Sequence, residues 1–414
     1  MKKNIIYICF IILSLSCNNR IKDQQMRITA QLMASQSIHF VQDSAFTIIN
    51  HADHVLMHLS EINSFVKDIH FIPFYSKYPI GQIDKLIIFD KYVIVLDARK
   101  TESIYIFDIS GQLLHVIAGK GAGPRDYLGL SDISINRDDS LIVVNDRLAL
   151  QTLYFSLDGK FVKKTKASPC TYFEFFNNQF INLTSYRQSF SNKFNENFNL
   201  TISANDSILY KGFPYYPLQV DAVNHKGLNF NYKGELLYMP DLCDSIYQFV
   251  NDSTFTVKYV INQKKSLWNK RYDELSIREY SRLVVGSSYT CPCPPFLETE
   301  NFIYYQVEVG YNEYIIGTHF FYDKLKKQSY KLGWIIEETT ETITVPNVVP
   351  YPMTVYGNYY VGLALPHTIE GAVELQKNNK MIFENKEFSD ILQNKVTDEL
   401  EFILAMYELQ SMSK

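Results

Sequence analysis

The sequence lacks most of the features that announce a chemistry. It has no blocks of like charge, and its formal net charge of −4 is spread along 414 residues, so no basic stripe exists for nucleic acid and no nucleic-acid partner is expected. Its amino-terminal apolar run, Ile5 to Leu13, is too short to span a bilayer as a helix. Gly119-x-Gly121-x-Gly123 matches neither the dinucleotide fingerprint nor the phosphate loop, and no Ser-His-Asp set or nucleophile elbow is present. Cysteines number only 6. Cys291-Pro-Cys293-Pro-Pro has the look of half a zinc site, but no second pair or histidine stands at ligand spacing, and the stretch reads as a rigid proline-rich loop. No metal and no cofactor is expected.

What is abundant is aromatic: 30 Tyr and 28 Phe, 14% of residues with Trp. Aromatic and β-branched residues suit the pleated surface of strands. Between Ile87 and Lys166 the chain says nearly the same thing twice. Tyr92-Val-Ile-Val-Leu-Asp97 and Ile104 to Leu114 return about 48 residues later as Ser140-Leu-Ile-Val-Val-Asn145 and Thr152 to Val162, with Gly111 falling on Gly159 and Phe107 on Phe155. A strand-only repeat of this length predicts propeller blades. Strong strands starting near residues 93, 141, 180, 236, 302 and 359 count six modules. The expected fold is all-β, a six-bladed β-propeller. A helical insertion is expected at 266–284, where Leu267, Trp268, Tyr272, Leu275, Leu283 and Val284 keep mostly helical spacing. A short helix is expected from Ser389, a candidate N-cap, to about Glu399, followed by a closing strand over Phe402 to Gln410.

At the amino terminus, Lys2 and Lys3 precede the apolar run, and Leu13-Ser-Leu-Ser-Cys17 resembles a bacterial lipoprotein signal. That resemblance implies cleavage before Cys17, acylation of Cys17 and anchoring to a membrane through the amino-terminal lipid. The chain then divides into a signal peptide (1–16), a lipidated tether and lead-in segment (17–50) and the propeller (51–414). Asn18 after the cysteine favours the outer membrane, facing the periplasm. Cys170, Cys243, Cys291 and Cys293 would remain in an oxidising compartment where disulfides persist.

Each candidate site residue also has a plainer role open to it. In the loop Gly119 to Tyr127, glycines Gly119, Gly121 and Gly123 read as a connection between blades with positive φ, while Arg125, Asp126 and Tyr127 are the candidates for ligand contact at the ring's mouth. On a strand, His54 and His58 share one face while His51 lies on the other, so the three read as surface residues rather than a metal site. Asp97 and Asp146 end corresponding strands and read as turn caps, although paired acids are also what glycoside cleavage needs. Five Asp-Ser pairs, at Asp43, Asp139, Asp206, Asp244 and Asp252, fit an O-glycosylation acceptor as well as ordinary turns. The runs Tyr172-Phe-Glu-Phe-Phe176 and Phe213 to Pro217 read mainly as filling between blades.

From Leu59-Ser-Glu-Ile62 and Ile69-His-Phe-Ile-Pro73 through Ile80-Gly-Gln-Ile83, Gly119 to Tyr127, Asp158-Gly159-Lys160 and Asp244-Ser-Ile-Tyr247, the chain resembles the six-bladed β-propeller lipoproteins of gut-type Gram-negative anaerobes, similar in appearance to NHL-repeat propellers. Two positions depart from that pattern. Arg125-Asp126 stands where the family usually has Gly-Glu before the tyrosine, and Glu399-Leu400 where it has Asn-Pro. The resemblance implies the fold and little about activity. The expected role is a lipid-anchored envelope module that binds or scaffolds a glycan, a peptide or a partner protein. The competing expectation is a glycan lyase or hydrolase using the same mouth.

Overall fold

The computed structural model describes residues 26–28, 30–41, 45–57, 61–184, 197–215, 226–241, 243–265, 277–287, 289–311, 313–332, 343–345, 348–378 and 380–411. Six sheets of four antiparallel strands form the blades of a β-propeller. Blade 1 runs Lys85–Phe89, Tyr92–Asp97, Ser103–Asp108 and Leu113–Ile117, from the axis outward. Blade 2 runs Leu130–Asn136, Leu141–Asp146, Gln151–Ser156 and Phe161–Lys166. Blade 3 holds Tyr172–Phe176, Gln179–Leu183, Asn197–Ala204 and Ser207–Tyr215; blade 4 holds Leu228–Phe230, Leu236–Tyr238, Ser245–Asn251 and Thr254–Asn262. Blade 5 holds Cys291–Glu298, Phe302–Tyr311, Tyr314–Asp323 and Gln328–Leu332. The strong strand that marks each module in the sequence is the second strand of its blade.

The second strands are apolar at consecutive positions because both of their faces are covered. Val93 and Val95 face one way, into the core shared with blade 6, and Ile94 and Leu96 face the other, into the core shared with blade 2. All four are at most 1% exposed. Ile142 and Val144 likewise pack toward blade 1, and Val143 toward blade 3. Val93 pairs with Phe107 and Ile142 with Phe155, so the repeat is 49 residues in the second strand and 48 in the third. The connection between those strands in blade 2 is one residue shorter, and Asp97 and Asp146 are strict equivalents. Gly111 (φ 92°) and Gly159 (φ 77°) close the matching outer turns in a conformation that disfavours a side chain.

Blade 6 closes the ring. Its strands are Pro352–Tyr356, Tyr359–Ala364, Leu400–Leu409 and, outermost, Val66–Tyr75, which pairs antiparallel along the carboxy-terminal strand from Leu409 to Leu400. The closing strand is therefore where the sequence places it. Between its second and third strands lie the helices Pro366–Lys377 and Lys386–Asn394. The first has no counterpart among the sequence expectations. The second starts before Ser389, because Asn385 is the cap that accepts from the Phe388 N–H at 3.0 Å. Of the expected 266–284 helix, the described part is Ile277–Ser287; residues 266–276 lie outside the described set.

The described strands of the 17–50 segment, and the first strand of the 51–414 region, lie on the outside of the ring. Gln36–Ser37 pairs parallel with the outer strand of blade 3, His39–Val41 and Thr47–Asn50 with that of blade 4, and Val55–Met57 with that of blade 5. Ile38, 5% exposed, wedges between blades 3 and 4 where Gly212 leaves room; a Cβ there would meet its Cδ1 at 2.7 Å. The Cys291 to Pro295 stretch is also not a loop. It is the inner strand of blade 5, and its pairing skips from Cys293–Gln306 to Phe296–Tyr305, so Pro294 and Pro295 bulge out of the ladder.

Candidate functional site

All six inner strands meet around an axial cavity of about 480 Å³. Its lining includes Lys85 to Ile88 of blade 1, Ser134, Ile135 and Arg137 at blade 2, Glu174 of blade 3 and Asn229 and Phe230 of blade 4. Pro294 and Pro295 of blade 5 and Pro352 to Val355 of blade 6 complete the circuit. This is the size of pocket that takes a small molecule.

One wall is ionic. Lys85, 6% exposed, sits 3.1 Å from Asp132 and 3.0 Å from Glu174, and also donates to the Ile133 carbonyl. Lys226 reaches the same Glu174 oxygen at 3.0 Å. Ser134 Oγ donates to the other Glu174 oxygen at 2.7 Å and accepts from the Phe175 N–H, while Asp132 accepts from the Phe173 N–H at 2.9 Å. Burial alone would raise Glu174, but the ammonium groups of Lys226 and Lys85 hold it down to about 2. Burial alone would lower Lys85, but Asp132 and Glu174 keep it above its ordinary value. For Lys226 burial prevails and its affinity for a proton falls. Two cations against two anions leave this cluster neutral.

The opposite wall is aromatic and comes from blades 5 and 6. The bulge at Pro294 and Pro295 lets side chains from the second and third strands of blade 5 reach the cavity: Tyr304, Gln306 and His319 all line it. His319 stacks on Tyr351 with centroids 3.5 Å apart. Burial lowers the His319 pKa to about 4, so the ring is neutral near pH 7. Gln306 Nε2 donates to Tyr304 Oη at 3.0 Å, and that hydroxyl lies 2.5 Å from His319 Nδ1. The hydroxyl thus accepts from Gln306 and also bonds Nδ1, the direction of that second bond depending on the imidazole tautomer.

Arg137 follows the inner strand of blade 2. Its guanidinium lies 5.6 Å from the Phe89 ring centroid of blade 1 and 5.4 Å from that of Phe230 in blade 4, across the ring. Two aromatic faces hold it in place. It makes no ion pair among the described residues.

The residues singled out in the sequence lie elsewhere. Tyr127 is 1% exposed; its hydroxyl donates to the Glu102 carbonyl at 2.5 Å and accepts from the Gly119 N–H at 3.0 Å. Asp126 accepts from the Gly123 N–H at 2.9 Å. Arg125 is exposed, and none of Arg125, Asp126 and Tyr127 is among the residues lining the axial cavity. Gly119, Gly121 and Gly123 do not take the positive φ that the sequence suggests. At Gly121 and Gly123 the reason for glycine is space, since a Cβ would stand 2.5 and 2.6 Å from the Asp126 carboxylate.

Asp97 and Asp146 are engaged by backbone. Asp97 accepts from Gly81, Gln82 and Lys100, and Asp146 from Leu128, Gly129 and Ala149, so each ties the loop that leads into its own blade. Burial would raise Asp97, yet the Lys100 N–H and Thr101 hydroxyl lower it. His51 is 5% exposed rather than on the surface, 3.2 Å from Tyr305 Oη, and His58 lies outside the described residues. Cys170, Cys243, Cys291 and Cys293 are free and buried, each thiol raised by burial. Among the described residues no three His, Cys, Asp or Glu side chains gather as a metal site. Tyr172 to Phe176 is the inner strand of blade 3, and its one charged residue, Glu174, is the centre of the ionic wall.

A solved structure agrees with this architecture. A protein of Bacteroides fragilis NCTC 9343, assigned as exported, superposes with a TM-score of 0.67 at 16% identity, covering 88% of this chain and 100% of its own. A DUF4221-family member from Bacteroides vulgatus gives 0.49 at 11% identity, with 84% and 98% covered. Among curated proteins nothing matches this chain. No helix among the described residues is long and apolar enough to cross a membrane. The profile of one family, "Domain of unknown function (DUF4934)", matches residues 46–407, which take in all six blades up to the last two residues of the closing strand and two of the four strands of the outer belt, and the chain is a member of that family.

Proposed function

We propose that this protein is a binding module of the cell envelope that holds a small polar ligand in its axial cavity. The observation that carries the reading is the cavity itself: about 480 Å³, walled by the inner strands of all six blades, with buried ionic groups on one side and a stacked imidazole–tyrosine pair on the other. Its two lining carboxylates are already engaged. Glu174 has three side-chain donors, and Asp84 accepts from the Ala98 N–H at 2.8 Å, Gln82 at 3.0 Å and Arg99 at 3.2 Å. Glu174, held down to about 2 by its lysines, is a poor proton donor, which favours binding over cleavage.

The envelope address rests on the lipoprotein-like Leu13 to Cys17 sequence, on the resemblance to anaerobe propeller lipoproteins, and on the exported Bacteroides fragilis neighbour. In this reading Cys17 carries the lipid and the ring hangs from it on the periplasmic side of the outer membrane. Arg125, exposed on the loop before blade 2, is then a secondary contact for larger ligands at the mouth. The test is a thermal-shift screen of the full chain in detergent against sugars, organic acids and short peptides, paired with mass spectrometry of the amino terminus. Stabilisation by a small molecule together with an acylated Cys17 is expected. A flat screen removes the binding reading, and an unmodified Cys17 removes the lipid anchor.

A further inference from the structure

Of the two lysines on the ionic wall, Lys226 is the one that solvent reaches. It lies just before the inner strand of blade 4, lines the cavity and keeps 23% of its side chain exposed, against 6% for Lys85. Its root is fixed. The Gly227 carbonyl accepts from the Met239 N–H at 2.9 Å, and a Cβ on Gly227 would stand 2.1 Å from the Met239 carbonyl oxygen. The side chain therefore starts from backbone packed against the end of the blade's second strand.

The charge of Lys226 is less well met than that of its neighbour. Both Nζ atoms lie 3.0 Å from one Glu174 oxygen, so two cations crowd a single acceptor. Lys85 has a second carboxylate, Asp132, at 3.1 Å; the ion pairs of the described residues give Lys226 none. Glu174 and Phe173 beside them are buried. Burial lowers the proton affinity of Lys226; the attraction of Glu174 opposes this, and the charge of Lys85 adds to the lowering. A proton lost by a lysine of this wall is therefore lost from Lys226, while Glu174 stays a carboxylate. A desolvated amine beside a second cation is the arrangement that makes lysine a nucleophile near neutral pH.

We propose that Lys226 is a covalent capture site for small carbonyl compounds, aldehydes or ketones of a few carbons that enter the axial cavity. The amine nitrogen attacks the carbonyl carbon, and the carbonyl π pair moves to oxygen. The resulting carbinolamine loses that oxygen as water, together with the two amine hydrogens, and leaves a C=N bond. No oxidant or reductant is needed, and water reverses the step. Glu174, 3.0 Å from the nitrogen, remains to accept from the protonated imine. The volume of about 480 Å³ keeps the captured molecule small. This inference rests on the axial cavity as the binding site and deepens that reading.

The experiment is reductive trapping on the full chain in detergent. Wild type is incubated at pH 7 with glycolaldehyde or hydroxyacetone and sodium cyanoborohydride, which reduces imines to stable amines. Labelled lysines are then located by peptide mass spectrometry. Lysines elsewhere serve as controls: Lys160 is exposed, whereas Lys258 and Lys324 are about as accessible as Lys226 and share Glu298 away from the cavity. Burial lowers Lys324 as well, so it separates a place in the cavity from proton affinity alone. Lys226 should label at least about tenfold faster than each control, the change in free amine that one pKa unit brings. Its labelling should also level off at a lower pH than that of Lys160. Lys226→Arg, checked by thermal melting, should lose this label and leave the controls unchanged; the site is mapped in wild type, so a variant that fails to fold does not blunt the test. Selective labelling by either probe supports the capture site. Labelling no faster than that of Lys160 or Lys324 with both probes overturns it. That failure leaves the binding module to the thermal-shift screen, where compounds that still stabilise Lys226→Arg are held without a covalent bond.

Discussion

Glu174 and Glu298 are two buried carboxylates, each gripped by two lysines, and they do different work. Glu298, 3% exposed, sits between blades 4 and 5 and accepts from Lys258 at 3.0 Å, Lys324 at 2.7 Å, Asn231 at 3.0 Å and Tyr259 at 2.5 Å. All four donors come from the two blades it joins. Lys258 and Lys324 keep about a fifth of their side chains in solvent, 21% and 23%. Glu174 instead gathers donors from blades 1 and 2 and from the approach to blade 4, and one of its lysines, Lys85, is almost wholly enclosed. The same ionic arrangement thus fastens two neighbouring blades in one place and braces the axis in the other. What separates them is Lys85: Lys226 keeps 23% of its side chain in solvent, much as Lys258 and Lys324 do, but Lys85 keeps 6% and cannot turn to water when the carboxylate goes.

That difference sets the largest expected effect. Glu174→Ala leaves Lys85 enclosed with Asp132 as its remaining carboxylate and Lys226 with none, and should cost about 3–5 kcal/mol in urea unfolding. Glu298→Ala frees lysines that reach solvent, and Lys258 retains Glu235 at 2.7 Å, so its loss should be about half as large. Equal losses for the two variants would erase the distinction drawn above.

Acid should separate the regions next. His51 has its pKa lowered to about 4 by burial and, less, by the neighbouring charges of His54 and Lys331. A histidine whose folded pKa lies below its unfolded value of 6.5 takes up its proton on unfolding, so stability falls as pH drops from about 6.5 to 4. The loss from His51 is on the order of 3 kcal/mol, and His319, similarly lowered, adds to it. Below about pH 4.5 a second loss sets in as the depressed carboxylates Glu174 and Glu298 begin to hold protons more weakly than in the unfolded chain. Unfolding midpoints measured from pH 7 to 3 should show the first decline flattened in His51→Gln and the second in Glu298→Gln.

Smaller effects sharpen the picture. Tyr127→Phe removes a buried hydroxyl bonded at both sides, to Glu102 and Gly119, and should lower stability by about 1–2 kcal/mol without altering ligand binding. Loss of ligand binding in that variant would move the site toward the mouth loop. Arg137→Gln should change the melting temperature least of all, since an exposed cation held only by two rings contributes about 0.5–1 kcal/mol.

The fold was legible where both faces of a strand are covered. Runs such as Val93 to Leu96 and Ile142 to Val144 have no polar positions to blur them, whereas Asn182 interrupts the matching strand of blade 3, from where the repeat is harder to follow. The inner strands were not, because one side turns to the axis and carries what the axis needs: Lys85, Asp132 and Glu174 interrupt them, and prolines bulge one of them. Three of the four belt strands escaped notice for another reason, being only two to four residues long. Of the axial site, Glu174 had a readable signal, a charge in the middle of an aromatic strand. Arg137 had none, since Asp138 and Asp139 beside it suggest a turn, and Lys226 belongs to no repeat.

The belt has a mechanical consequence. Its strands hydrogen-bond to three successive blades and then continue into the strand that clasps the carboxy-terminal one. Tension applied at the amino terminus therefore reaches these short attachments in series, and peeling them yields slack before any load arrives at the clasp. A ring suspended from its leading end is in this way sprung, with several weak rungs to surrender and re-form while the axial cavity keeps its shape.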